Sequence, residues 1–310
     1  MNEQPAALVH PPHGESDGRF ATLTFAREVG APASVLWQAW TVPAARAVWA
    51  APTPSVTVEF LESDPKVGGR EVSLCKVAGE ADIRCECGWL ALEPGVRSVI
   101  YELVSSEGVA RSAALVTADF SGDGGRSRVV VTVQLSSLAQ EKAPDMAAGY
   151  RQGFDAGLAH LAAVAERTML IERVIRAPRS LVWGAWLNEE TLPQWWGPDG
   201  FSCRTQRIAL RTGGEWVFDM IGPDGTVYPN HHRYHVVLPE ERVDYSLHWG
   251  ENGPKHADAW VSFDELDGAT KVTLGMVFST AAEFQTAKGF GAIELGQQTL
   301  GKLDRFVTGG

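Results

Sequence analysis

The feature that most constrains this chain is a stretch of sequence that occurs twice. Residues 27–49 and residues 173–195 share an Ala-Pro pair and three tryptophans, at a constant separation of 146 residues. A repeat period of this size is that of a whole domain, because solenoid repeats span roughly 20 to 50 residues. The sequence therefore predicts a tandem duplication. The matched positions are Ala31-Pro32 with Ala177-Pro178, Trp37 with Trp183, Trp40 with Trp186, and Trp49 with Trp195.

The match between the copies continues past this stretch, since Gly68-Gly69 falls on Gly213-Gly214. We therefore predict a disordered tail over residues 1–18, a first repeat over 19–166 and a second repeat over 167–310. The composition, 45% apolar and 21% charged, supplies enough apolar chain for two cores. His10 and His13, in the predicted tail, lack a third ligand and are not expected to bind metal.

Composition also predicts the surroundings of the protein. The sequence has no signal peptide and no apolar run of roughly 18 residues, so we expect a cytoplasmic protein that does not enter a membrane. Its four cysteines, Cys75, Cys85, Cys87 and Cys203, are then expected to be reduced thiols. The net charge of −11 lacks the basic excess that phosphate binding needs, which argues against nucleic acid as a partner.

Each repeat shows the same order of predicted elements. Alternating apolar residues predict a first strand, which the Ala-Pro pair ends because proline donates no hydrogen bond. Two short helices follow, with Ser180 as a possible cap of the first and Asn188 of the second. Turn signals such as Gly213-Gly214 then separate several strands, and an apolar stripe from Ile293 to Val307 predicts a long closing helix.

This order predicts an α+β fold made of two tandem helix-grip domains. In each, a curved antiparallel sheet wraps around a long C-terminal helix, with two short helices after the first strand. Glycine costs up to about 1 kcal/mol against alanine inside a helix. Its frequent use on the long helices therefore favours close approach to a sheet, with or without a ligand.

Several runs of residues carry a resemblance. The runs V-I-R-A-P-R-S-L-V-W-G-A-W, W-W-G-P-D-G-F and Y-H-V-V-L-P-E-E-R-V-D-Y resemble the activator of heat-shock-protein-90 ATPase homologue family, C-terminal-domain type. That family is part of the START-like (SRPBCC) helix-grip superfamily. The second repeat matches over nearly its full length and the first more loosely, since Ala50 stands where the W-W-G-P run has its second tryptophan. The resemblance implies a cavity between sheet and long helix, often used for apolar small molecules.

The second repeat offers the candidate ligand site. Alternation along its strands and its many aromatic residues predict an apolar pocket with a few polar groups that could contact a ligand. Additional candidates for these polar groups are His231, His235, His248 and Gln298. For any single ring, an ordinary core position is the alternative. The predicted ligand-binding residues are Trp196, Trp216, Phe218, Met220, His232, Tyr234, Trp249, Trp260, Met276, Phe290 and Glu294.

Metal and cofactor chemistry find no support in the sequence. The nearby histidines do not converge in threes, and the spacing of Cys85 and Cys87 fits no zinc pattern, so the cysteines are expected to act as small buried apolar residues. We predict no metal and no cofactor. No hydrolase, kinase or dehydrogenase motif occurs.

Three functions stay open. The first is binding of a hydrophobic or aromatic small molecule by the second repeat, with the first repeat contributing stability. The second is a cyclase- or dehydratase-like enzyme on an aromatic or polyketide-type substrate, and the third is a co-chaperone-like interaction module without ligand. The short link around residues 166–168 predicts a fixed intramolecular pseudo-dimer. We also expect Trp195 to be a core residue and Trp196 to lie at the mouth of the cavity.

Overall fold

The computed structural model describes residues 18–51, 55–139 and 143–309, with side chains of the first long helix from Met146 onward. The predicted tail, with His10 and His13, lies outside the described residues apart from Gly18. Close contacts divide the chain into two compact units. The described parts of Met1–Arg27, Ala51–Phe120 and Val129–Leu158 form one unit, and those of Glu28–Ala50, Ser121–Arg128 and Ala159–Gly310 form the other.

The first repeat has one antiparallel sheet and three helices in its described residues. Its strands follow one another as a meander, except that the first strand pairs with the last, giving the order β1-β7-β6-β5-β4-β3-β2. The elements are β1 (Phe20–Val29), α1 (Ala33–Thr41), α2 (Pro43–Trp49), β2 (Val56–Ser63), β3 (Arg70–Val77), β4 (Ile83–Glu93), β5 (Arg97–Ser106), β6 (Val109–Asp123), β7 (Arg126–Ser137) and α3 (Ala143–Ala165).

The second repeat has the same topology, with the order β8-β14-β13-β12-β11-β10-β9. The predicted fold class is therefore confirmed. Its elements are β8 (Thr168–Ile175), α4 (Arg179–Trp186), α5 (Leu192–Trp195), β9 (Ser202–Ile208), β10 (Glu215–Ile221), β11 (Val227–Leu238), β12 (Arg242–His248), β13 (Lys255–Leu266), β14 (Ala269–Phe278), α6 (Ala281–Gly289) and α7 (Ala292–Thr308).

The duplicated tryptophans tie the two short helices of each repeat together. The indole Nε1–H of Trp49 donates to the carbonyl of Ala39 at 2.6 Å, and that of Trp195 donates to the carbonyl of Ala185 at 3.0 Å. Each indole also packs against the preceding tryptophan of its repeat. The constant separation in the sequence therefore reflects one local structure that is built twice.

The glycine pairs are a second shared device. A Cβ atom at Gly69 would overlap the carbonyl oxygen of Asp64, and one at Gly214 would overlap that of Ala209. Only glycine allows this close approach of two backbone segments. The turn also orders the next strand, because the backbone of Gly214 hydrogen-bonds to that of Tyr234 as Gly69 does to Trp89.

Helix ends differ from the sequence prediction in three places. Ser180 lies inside α4, whose N-cap is Pro178, so the predicted cap at Ser180 is wrong. The N-cap of α5 is Thr191, so the predicted cap at Asn188 is wrong as well; the Asn188 side chain instead accepts hydrogen bonds from the backbone of Glu190 and Thr191 and closes the turn before α5. Helix α6 was not predicted, although Thr280 and Glu283 form a complete capping box at its start.

The core of the second repeat lies between its sheet and α7. One face of the sheet packs against Leu300 and Leu303 of α7, and we call this face the inner face. Gly296 of α7 lies against Ile171, where a Cβ atom would meet the isoleucine side chain. The close approach predicted from helix glycines is thus present here. Among the described helices, none is long and apolar enough to cross a membrane.

Candidate functional site

Three rings on the inner face of the second sheet and one at the end of α5 form a connected group, which we call the inner aromatic cluster: Trp196, Trp216, Phe218 and His232. Trp216 and Phe218, two residues apart on β10, stack with centroids 3.7 Å apart. His232, the register partner of Trp216 on β11, meets both rings edge-on. Trp196 lies 5.9 Å from Trp216 and 5.5 Å from His232. Strand alternation thus places three of the rings, and the end of α5 places the fourth.

The two adjacent tryptophans at this end of α5 have different surroundings. Trp195 is 1% exposed and holds its indole N–H on the Ala185 carbonyl. Trp196 is only partly buried and faces the cluster, contacting Trp186 as well as Trp216. The structural role predicted for Trp195 agrees with this placement, whereas a position of Trp196 at a cavity mouth stays a prediction.

Two tyrosines extend the cluster along the sheet. Tyr234 on β11 and Tyr245 on β12 are register partners with ring centroids 5.8 Å apart, and Tyr245 lies 5.2 Å from His232. The next positions in the row are Ala259 and Met276. Because alanine is small, the row changes from large rings to a short side chain in the middle of the sheet.

Burial keeps the polar groups of this region uncharged. It lowers the pKa of His232 to about 3, with the positive charge of His256 and His231 acting in the same direction. It also raises the pKa of Tyr234 and of Tyr245 well above the ordinary value for a phenol. At neutral pH the region therefore presents one neutral imidazole and two phenols, each able to donate and accept a hydrogen bond.

Two methionines of this sheet are only partly buried, and one of them, Met220, borders the cluster. Met220 follows Phe218 on the inner side of β10 and lies under Gly197, and Met276 pairs with Met169 on the neighbouring strand. Methionine fills irregular space and adapts its shape, which suits the edge of a site for an apolar molecule.

Six of the predicted ligand residues thus form one continuous group, Met276 lies three strands away from β11 on β14, and four lie elsewhere. Trp249 lies beyond the end of β12, is 53% exposed and stacks on His256. Trp260 is fully buried, but on the face of β13 opposite Val261, where it lies over Gly275. Phe290 is 60% exposed and Glu294 is exposed as well. These four placements do not fit the predicted site.

The sequence analysis missed Tyr245. It occupies the inner face of β12 between Val243 and Leu247, all three of them buried. The signal was available, because these residues alternate with polar ones in R-V-D-Y-S-L-H.

The remaining candidate handles lie away from the cluster. His231 bonds to Glu215 at 2.7 Å, and His235 and His248 both contact the hydroxyl of Ser246. Gln298 accepts a hydrogen bond from the backbone of Asp199 and is exposed. In the part of the chain that the structure describes, no group of three His, Cys, Asp or Glu side chains is arranged to hold a metal ion.

The first repeat has a polar interior at the matching place. Tyr150 of α3 donates its hydroxyl proton to Glu102 at 2.9 Å and lies 3.1 Å from the hydroxyl of Ser112. Glu71 is 2% exposed and accepts a hydrogen bond from Ser63. This network connects the long helix of the repeat to its sheet.

The cysteines of the first repeat border that interior. All four cysteines of the protein are free thiols. Cys87 is buried, and burial raises the pKa of Cys85 to about 12, with the charge of Glu102 adding to the effect. A thiol with so high a pKa is protonated and unreactive at neutral pH. Cys75 and Cys85 are only partly buried, so in this repeat the predicted buried position is found for Cys87 alone.

The chain matches the family model described as Activator of Hsp90 ATPase homolog 1-like protein, over residues 30–166 and again over residues 176–308. The chain belongs to this family. The duplication is therefore a tandem pair of Activator of Hsp90 ATPase homolog 1-like domains, as the resemblance of the sequence runs predicted.

Solved structures similar to the chain cover about half of it each. Protein Ms6760 from Mycobacterium smegmatis is 23% identical over 47% of this chain and 94% of its own, with a TM-score of 0.43. Protein NE0264 from Nitrosomonas europaea is 24% identical over 46% and 96%, with a TM-score of 0.43. A protein from Arthrobacter aurescens is 20% identical over 47% and 89%, with a TM-score of 0.44. No curated protein matches the chain.

Proposed function

We propose that the second repeat binds a hydrophobic or aromatic small molecule between its inner face and α7. The observation that carries this proposal is the inner aromatic cluster together with its partly buried apolar border. A plain core would enclose such large side chains, yet Trp196 and Met220 both keep exposed surface beside fully buried rings. Concave apolar surfaces with a few polar groups are typical of small-molecule sites.

The two alternative functions have less support. A cyclase- or dehydratase-like enzyme needs an acid or base that titrates near neutral pH. His232, with a pKa near 3, stays neutral there, and within the described residues no carboxylate is hydrogen-bonded to it. A co-chaperone-like interaction module needs no open apolar site, so it is the outcome to accept if no apolar molecule binds.

The test is a titration of the full chain with N-phenyl-1-naphthylamine, an uncharged apolar fluorophore. We expect saturable binding of one molecule per chain. Trp196→Ala should weaken this binding by about tenfold or more, because a central aromatic contact typically contributes on the order of 2 kcal/mol.

Trp183→Ala is the matched control, since Trp183 is a partly buried tryptophan of the same repeat that packs on Phe263. It should change the affinity less than about twofold. Equal loss in the two variants, or no saturable binding by the wild-type protein, contradicts the proposed site.

We further propose that the first repeat supports the second without taking the same ligand, and that the repeats form a fixed intramolecular pseudo-dimer in the cytoplasm. Only Glu166 and Arg167 separate α3 from β8, which leaves little chain for independent tumbling. Small-angle scattering should fit one rigid particle. Scattering that requires two freely moving lobes contradicts the pseudo-dimer.

A further inference from the structure

Three polar side chains are buried side by side on the inner face of the second repeat. His232 is 3% exposed, Tyr234 is 4% exposed and Tyr245 is 3% exposed. Tyr245 is the common neighbour, with ring centroids 5.2 Å from His232 and 5.8 Å from Tyr234. We call these residues the polar trio. They come from β11 and β12, whose register fixes their spacing.

The polar trio makes no side-chain hydrogen bond to any residue that the structure describes. Other buried groups of this repeat do find partners, as the Trp216 indole does on Thr205 and the Trp195 indole on Ala185. Buried polar groups are satisfied in the great majority of cases, and leaving one without a partner is costly. Three neighbouring exceptions on one face therefore need an explanation.

The trio also differs from polar atoms that are merely sealed in the core. Nε1 of Trp260 and Nδ1 of His231 have no partner and are completely enclosed. The nitrogens and hydroxyls of the trio are not among the enclosed atoms without a partner. They therefore keep contact with accessible space although their side chains are more than nine-tenths buried, as expected for groups that face a site.

The chemistry of the trio selects the ligand. All three groups are neutral, because burial lowers the pKa of the imidazole and raises those of the phenols. The rings that surround them are neutral as well. A carboxylate or an ammonium group placed here would lose its hydration without gaining an opposite charge, which is strongly unfavourable. An uncharged oxygen would instead receive a hydrogen bond from a phenol.

We infer that His232, Tyr234 and Tyr245 form the polar contact of the second-repeat site, and that its ligand is an uncharged aromatic or polycyclic molecule bearing a carbonyl or hydroxyl oxygen. This inference rests on the proposed function, because it names the class of molecule that the same site takes. It assigns Tyr245 a role in specificity.

The test is a competition series on the full chain. Naphthalene, 2-acetonaphthone and 2-naphthoate share one ring system and differ in the polar group, and each displaces bound N-phenyl-1-naphthylamine. The ketone should bind about threefold to tenfold more tightly than the hydrocarbon, the range that one neutral hydrogen bond provides. The carboxylate should bind most weakly of the three.

Tyr245→Phe and Tyr234→Phe remove one hydroxyl each and keep the ring. At least one of them should abolish the preference for the ketone and leave the affinity for naphthalene unchanged. Tyr228→Phe is the control, because Tyr228 lies on the same strand but is 40% exposed and contacts Phe201. It should change none of the three affinities.

The stability of the free protein gives an independent readout. Removing a hydroxyl that lacks a protein partner should leave the melting temperature of Tyr245→Phe unchanged or raise it. A lower melting temperature together with an unchanged ketone preference assigns the hydroxyl a structural role and overturns the inference. If the fluorophore binds but the ketone and the hydrocarbon compete equally, the inference fails and the proposed function survives. If the fluorophore does not bind, the proposed function fails first.

Discussion

The two repeats have the same strand order but differ in chemistry at one matched place of their interiors. In the second, Trp216 and His232 are register partners on the inner face, and in the first the corresponding pair is Glu71 and Cys87. The long helices differ in the same way. Tyr150 of α3 reaches a carboxylate and a serine, whereas Gly296, the matching position on α7, lies against the apolar side chain of Ile171.

This comparison separates what keeps the fold from what decides its chemistry. The tryptophan to carbonyl hydrogen bonds and the glycine-dependent turns occur in both repeats, at matching positions. The inner faces differ where Glu71 and Cys87 stand in place of Trp216 and His232, although both faces also carry buried apolar residues. A duplicated domain can therefore retain its framework and change the chemistry of one place in its interior, because function depends on the site and not on the fold.

The largest effect that tests the comparison concerns the shared framework. Trp195→Ala should reduce the free energy of unfolding by about 3 to 5 kcal/mol, since it removes a fully buried ring and leaves a cavity. Trp49→Ala removes the equivalent ring and the equivalent hydrogen bond from a half-buried position, so its cost should be clearly smaller. Denaturant unfolding measures both. Equal costs contradict the idea that the second repeat depends more on this tryptophan.

The next largest effect is a loss of stability at low pH that comes from the second repeat. The pKa of His232 is lowered to about 3 in the folded protein, so between roughly pH 6.5 and 3 the unfolded chain binds a proton that the folded chain does not. His232 therefore does not change the free energy of unfolding above about pH 6.5, and it lowers that free energy by about 1.4 kcal/mol per pH unit below it.

The variant His232→Phe isolates this pH-dependent loss of stability. Asp244, whose pKa burial raises to about 6, acts in the opposite sense but is common to both proteins and cancels in the comparison. Unfolding free energies of wild type and variant, measured from pH 7 to pH 4, should diverge with the wild type losing more. Parallel curves rule out a buried neutral histidine.

A smaller effect compares one chemical change in the two interiors. Tyr150→Phe removes a hydroxyl that bonds to Glu102 and Ser112, and should cost about 1 to 2 kcal/mol. The same deletion at Tyr245 should cost nothing, because that hydroxyl has no partner among the described residues. Thermal unfolding of the two variants side by side checks this contrast. Similar losses would show that the two interiors are satisfied in the same way.

The smallest effect concerns an arginine that occurs at the same place in both first strands. Arg173 pairs with Asp304 of α7 at 2.8 Å, while Arg27 forms no ion pair with any residue that the structure describes. The pair is partly exposed, so Arg173→Ala should cost only about 0.5 to 1 kcal/mol and Arg27→Ala less. The difference between the costs of the two variants should be smaller at high salt than at low salt, which unfolding measurements in both conditions check. A difference that salt does not change points to packing instead of charge.

The framework was readable from the sequence because its residues repeat. A tryptophan or glycine pair that recurs at a fixed separation marks one local structure, and periodicity then places the strands around it. The meander and the closing helix follow from the same alternation. Helix α6 was not predicted because it is short and weakly apolar, although Thr280 and Glu283 mark its start.

The candidate site was harder to predict, since alternation does not say which face points inward. Along β13 the sequence offers Ala257 and Ala259 on one face and Asp258 and Trp260 on the other. The large ring suggested the interior, but the alanines occupy it. The small residues mark the inner face of this strand, because large rings from neighbouring strands fill the space over them. The prediction for Trp249 does not fit for another reason. This residue lies past the end of β12, where alternation no longer applies.

The contact between Gly296 and Ile171 has a consequence for evolution. The helix backbone there rests directly on a side chain of the first strand, so no nearer approach is available and any larger residue at 296 would act as a wedge. The distance between helix and sheet is thus fixed at this point. In the site proposed above, a ligand of another size would then have to be accommodated by substitutions on the strands. A single glycine of this kind would limit which molecules the proposed site can come to accept.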